Sequence, residues 1–209
     1  MKVDQIEKGD KNMKILWYDT ETTGLTENSA MFQISGVIEI DGEVKEEFDI
    51  FCKPHVGADI SEQALEVTGI SREQLDSFPP PKKAYEELVE IFSKYIDKFD
   101  REDKFIIAGQ NVKFDIDVLN RFFKRNNDNY LGSFLNYKQV FDTLSVYTAL
   151  EIADVVPKLE NHKLETICKI MGVELSNAHN SLADIKATKE VGDKLLQGLR
   201  RIKKQKIKL

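Results

Sequence analysis

Two cysteines, five prolines and three histidines are all that this chain of 209 residues carries of those types. Cys52 and Cys168 stand far apart and form no CxxC or Cys/His spacing, which excludes a disulfide framework and a thiolate zinc site. Buried, reduced thiols in a cytoplasmic protein are the expectation. No apolar run approaches the roughly 20 residues that a membrane-spanning helix needs, so no membrane partner is expected. The opening stretch MKVDQIEKGDKNMK lacks an apolar core, and no secretory signal is expected either. Internal repeats and low-complexity linkers are missing too. The expected organisation is a polar leader at 1–13, one domain at 14–199 and a basic tail at 200–209.

Net positive charge is also lacking. With 30 Lys+Arg against 36 Asp+Glu the chain stands at -6, which argues against holding nucleic acid by bulk charge. The average conceals an asymmetry. Arg200, Arg201, Lys203, Lys204, Lys206 and Lys208 crowd the last residues with no acid among them. Cations favour a helix C-terminus, so a solvated helix end is the plainer reading, and an arm for a phosphate backbone is the functional one.

What is present is a mixed pattern of strands and helices. Lys14–Thr20 is a short apolar, aromatic run, and Met31–Ile40 and Glu43–Phe51 are β-rich runs separated only by Asp41-Gly42. That dipeptide is a strong hairpin signal, because a type I′ turn needs positive φ at both central residues. An antiparallel meander of three strands follows. Ser61 and Ser71 open short helices, the second with Gln74 completing a capping box. A helix entered through Pro81 carries Tyr85, Leu88, Val89, Phe92 and Ile96 at helical spacing to about Phe99. Phe105–Ala108 reads as a fourth strand and Val140-Phe141 as a short fifth, each followed by a helix, with Asp142 as an N-cap. A last helix covers roughly Ser181–Leu199. The fold class is α/β, a five-stranded sheet flanked by helices.

Three acidic features stand out. Asp19 and Glu21, two apart at the end of strand one, point to the same face with Cα atoms about 6–7 Å apart. Two carboxylates side by side on a buried strand are costly unless cations neutralise them, and hard divalent ions with oxygen ligands suit them. Asp115 lies in the first turn of the helix after strand four. Asp184 lies in the opening turns of the last helix, with His179 just before it, and a His beside an acidic metal site is suited to proton transfer.

DTETTGL (Asp19–Leu25), GQNVKFD (Gly109–Asp115) and HNSLAD (His179–Asp184) resemble the three exonuclease motifs of DEDDh (DnaQ-like) 3′–5′ exonucleases. This ribonuclease H-like group includes the epsilon proofreading subunit of bacterial DNA polymerase III. The resemblance implies a sheet with strands 1–3 antiparallel and strands 4–5 parallel. It also implies that Asp19, Glu21, Asp115 and Asp184 hold two Mg²⁺ or Mn²⁺ ions, with His179 accepting the proton of the attacking water. Thr22, Gly24 and Leu25 are expected to cradle the 3′-terminal nucleotide, with Asn111 and Phe114 as further contacts. The implied activity is release of nucleoside 5′-monophosphates from a 3′ end, single-stranded DNA favoured, with a DNA polymerase as partner in trans. An exoribonuclease or oligoribonuclease-like activity is the alternative within the class, and an inactive nucleic-acid binding module the alternative outside it. Gln110 and Thr68 depart from histidines frequent at those places and bear on substrate preference.

Overall fold

A computed structural model describes residues 12–175 and 180–203. Strand β1 (Lys14–Thr22) is the central strand of five. It lies between β2 (Met31–Ile40) and β4 (Phe105–Gly109), with β3 (Glu43–Phe51) and β5 (Leu135–Asp142) at the edges. β1, β2 and β3 pair antiparallel, whereas β1, β4 and β5 run parallel. The hairpin turns at Asp41 and Gly42, with φ of 53° and 86°. Both values lie in the left-handed region that a type I′ turn demands.

Alternation along β1 assigns its two faces. Leu16 and Tyr18 pack with α3 (Pro81–Ser93) and α4 (Lys113–Arg125) in a core that includes Leu88, Phe92, Leu119 and Phe123. Ile15 and Trp17 face the other way, toward Ile185 of α7 (Ser181–Lys203). Each such side chain taken out of water contributes about 1.5–3 kcal/mol. α5 (Thr143–Ile152) and α6 (Leu164–Met171) enclose Tyr147, Ile167 and Cys168 against Val191 and Leu195 of α7. Gly192 brings α7 close to the sheet, since a Cβ there would lie 2.3 Å from the Trp17 ring. The short α1 (Glu62–Thr68) and α2 (Arg72–Ser77) pack Leu65 and Leu75 against Phe32, each opened by the expected serine cap. Cys52 and Cys168 are buried and unbridged.

Three boundaries differ from the expectation. α3 stops at Ser93 although Ile96 continues its apolar period. Beyond it Asp97, Asp100 and Asp103 accept backbone N–H groups of Phe99, Glu102 and Asp97, and these local bonds compete with the helical ladder. β5 is longer than Val140-Phe141. It starts at Leu135 and bulges, since Ile106 pairs with Asn136 while Ile107 pairs with Val140. α7 runs through Lys203, so Arg200 and Arg201 belong to its last turns. The rest of the basic tail and residues 1–11 of the leader lie outside the described residues. Among the described residues no helix is long and apolar enough to cross a membrane.

Candidate active site

The three acidic features meet at the C-terminal end of β1. Asp19 and Glu21 continue the face that carries Trp17, and α7 lies across that face with Asp184 in its first turn. Ser181 opens α7, and its Oγ donates to the Asp19 carbonyl oxygen at 3.1 Å, fixing the helix start to the strand. Asp115 comes from the opposite side, in the first turn of α4, and is 4% exposed. One of its oxygens accepts from both the Thr20 backbone N–H (3.0 Å) and the Thr20 hydroxyl (2.6 Å). Thr20, between the two acids on β1, thus holds the third.

The electrostatics tie the four acids together. Burial, and then the charges of Asp115 and Asp184, hold the Asp19 carboxyl well above its ordinary range. Glu21 is pushed up to about 8 by burial and by Asp19 and Asp184. Asp115 is raised by burial, and the hydrogen bonds from Thr20 oppose that rise. Among the described residues no three His, Cys, Asp or Glu side chains already converge as a completed metal cage. The chemistry of the donor set nonetheless fits hard divalent cations. It consists of carboxylate oxygens alone, crowded enough to retain protons unless positive charge arrives.

Beside the acids lies a cavity of about 670 Å³ lined by Thr22 at the end of β1, by Gly24 and Leu25 of the β1–β2 connection, by Phe114 of α4, and by Ala64, Val67 and Thr68 of α1. Glu21 reaches its wall. Gly24 is required by close approach, because a Cβ there would come within 2.9 Å of Ser29 Oγ. Thr23 and Ser61 stitch the connection to α1, with Ser61 N–H donating to the Thr23 carbonyl at 2.8 Å. Leu25 is 87% exposed at the mouth.

Of the residues singled out in the sequence, Asp19, Glu21, Asp115 and Asp184 gather at one strand end, and Thr22, Gly24, Leu25 and Phe114 line the adjoining cavity. Asn111 does not line it. Its backbone takes φ of 53° and its N–H donates to Asp142 Oδ1 at 2.8 Å. Asp142 also accepts from Leu144 N–H, the N-cap role expected of it. His179 lies outside the described residues. Thr20, Ser181, Ser29 and Asp59 were not singled out. A hydroxyl between two acids on a strand was the available signal for Thr20.

The Exonuclease model of the RNase_T family matches residues 16–191. The DNA polymerase III PolC-type protein of Oceanobacillus iheyensis is 27% identical over 184 residues, 87% of this chain and 11% of that protein. Its Bacillus cereus counterpart is 30% identical over 172 residues, 82% and 10% of the two chains. Among solved structures, E. coli Exonuclease I in complex with a dT13 oligonucleotide superposes with a TM-score of 0.73 at 23% identity, covering 91% of this chain and 42% of that one. The zinc-bound Exonuclease I–ssDNA complex gives 0.75 at 24% identity. The chain thus spans about a tenth of the polymerases and about two fifths of Exonuclease I. The solved structures establish the shared fold, and the matched span contains β1, α4 and Asp184: this chain belongs to the RNase_T exonuclease family, a DnaQ-like nuclease on a ribonuclease H-like sheet.

Proposed function

We propose that the protein is a metal-dependent 3′–5′ exonuclease that shortens single-stranded DNA and releases nucleoside 5′-monophosphates, in proofreading or repair. The observation that carries this reading is the meeting of four acids at the end of β1 beside a cavity of about 670 Å³. Asp19, Glu21, Asp115 and Asp184 are the ligands for two Mg²⁺ or Mn²⁺ ions, which when bound supply Lewis acidity for the attacking water and the leaving 3′ oxygen. His179 accepts the proton of that water, a task matched to an imidazole near neutral pH. Thr22 and Gly24 hold the terminal nucleotide against the acids, and Leu25 and Phe114 offer apolar surface to its base. Thr20 keeps one oxygen of Asp115 engaged, so the other would be the one available to hold an ion. The Exonuclease I–ssDNA complexes support single-stranded DNA as the substrate, and the PolC relatives support association with a DNA polymerase. The proposed setting is the cytoplasm, with that polymerase in trans.

The test is a pair of 5′-labelled single strands of one sequence, DNA and RNA, incubated with Mg²⁺ or Mn²⁺ or with excess chelator. The expected result is a ladder shortening from the 3′ end, faster on DNA and absent in chelator. Faster RNA hydrolysis would reassign the substrate, internal cuts would refute an exonuclease, and activity in chelator would refute the metal-dependent mechanism.

A further inference from the structure

One helix carries both a satisfied and an unsatisfied charge pair. On α4, Lys113 and Asp117 form an i, i+4 ion pair at 2.7 Å. One turn further, Arg121 and Arg125 repeat that spacing with two like charges, which ordinarily disfavours a helix. In a chain with an excess of acids, neither arginine has a carboxylate partner among the described residues. Asp117, one turn before Arg121, bonds Lys113 instead. Asp59 on the neighbouring loop bonds Thr26 Oγ1 at 2.6 Å and Asn28 Nδ2 at 3.2 Å. Arg125 donates to the backbone carbonyls of Glu27 (3.1 Å) and Ser29 (3.4 Å). Arg121 Nε is buried and has no acceptor among the described residues. Burial, and then the charge of Arg121, lowers the Arg125 pKa, which places the two guanidinium groups within each other's field. An arginine N–H withdrawn from water with no acceptor costs free energy until one is supplied.

The position connects this pair to the cavity. Phe114 and Arg121 are seven residues apart and share a face of α4, and Phe114 is a wall of the cavity. Arg125 holds the 27–29 segment, whose Ser29 lines the same cavity. Seven helical residues span about 10 Å, the length of roughly three stacked nucleotides at about 3.4 Å each. The Arg121 guanidinium fork matches phosphate oxygens in geometry as well as charge, and Arg125, whose Nη groups bond the 27–29 carbonyls, adds positive charge beside it.

We propose that Arg121 and Arg125 form a phosphate subsite that grips the backbone of a single strand a few nucleotides upstream of the 3′ end held beside Thr22–Leu25. The subsite rests on the nuclease reading for its strand but not for its test, which measures binding. Fluorescein-labelled single-stranded DNA of two and of twelve nucleotides is titrated with protein in chelator, where no strand is cut, at several salt concentrations. Arg121→Gln is the variant of choice, because Arg125 also braces the 27–29 loop. The expected loss of affinity for the twelve-mer is about tenfold. The slope of log affinity against log salt should shrink by about 0.7, the signature of one lost phosphate contact on a single strand. The ratio of parent to variant affinity grows with strand length. Arg121→Lys retains the charge but not the fork, so it should keep most of the salt slope while binding more weakly than the parent. A melting temperature for each variant separates misfolding from lost contact. Equal affinities and equal slopes for parent and a folded Arg121→Gln protein overturn the subsite. A strand bound through Arg121 yet left intact with Mg²⁺ overturns the nuclease reading and leaves the subsite standing.

Discussion

The two ends of the β1–α7 interface treat buried acid in opposite ways. At the lower end Glu39, 6% exposed, accepts from the Trp17 indole at 3.2 Å and from Lys189 at 2.9 Å, and Lys189 also lies 5.9 Å from the Trp17 ring centre. At the upper end, two residues on along the same face of β1 and five residues back along α7, Asp19 and Glu21 meet Asp184, with charges of one sign raising one another's pKa. The same helix thus supplies a lysine to Glu39, while Asp19 and Glu21 stand in a field of like charge. Where an acid only holds the fold together, the chain carries its own counter-charge. Under the proposed reading, the positive charge at the upper end is supplied by the bound ions.

The sharpest way to break this contrast is Asp19→Asn. On 3′-labelled single-stranded DNA with Mg²⁺ the rate should fall by about a thousandfold or more, while the melting temperature in chelator holds or rises, because one repelling charge is gone. Retained activity would place the chemistry elsewhere. At the other end, Lys189→Met strands Glu39 as a buried charge. Urea denaturation should show a loss of about 3 kcal/mol, with the rate per folded molecule nearly unchanged. A neutral result would mean that Glu39 finds other solvation and that the two ends differ less than their geometry suggests. The smallest effect is the pH dependence of melting. Glu21 has a pKa of about 8 when folded against 4.5 unfolded, so the folded state binds the extra proton. Its favourable contribution is complete below about pH 4.5 and is lost as pH rises through about 8. In chelator the melting temperature should therefore fall between pH 5 and 8. Saturating Mg²⁺ should flatten that fall, and a rise over the same window without metal would contradict the crowding of these acids.

Much of this was legible in the sequence wherever the cause is local. Asp41-Gly42 fixed the hairpin because two consecutive left-handed residues admit few other pairs, and Ser71 with Gln74 marked a helix start that the structure reproduces in both reciprocal bonds. Asp19, Glu21, Asp115 and Asp184 stand at element ends that hydrophobic periodicity locates, and the resemblance to the three exonuclease motifs is what marks them as one set. The end of α3 was not legible, since Ile96 keeps the helical period while the aspartates after it turn the backbone. β5 was underestimated because the bulge puts Tyr137, Lys138 and Gln139 outside any alternation. Thr20 and Arg121 escaped for a different reason. What distinguishes Thr20 is a partner 95 positions away, and what distinguishes Arg121 is an Nε without an acceptor among the described residues.

The hydrogen bond from Ser181 to Asp19 closes a loop of 162 residues. Its two ends are made far apart in synthesis, Asp19 early and Ser181 late. A growing chain that has exposed Asp19, Glu21 and Asp115 still lacks Asp184 and the helix that covers Trp17. Under the proposed reading, hydrolytic competence and the finished sheet-and-helix sandwich therefore arrive together, and a half-made chain is a harmless one.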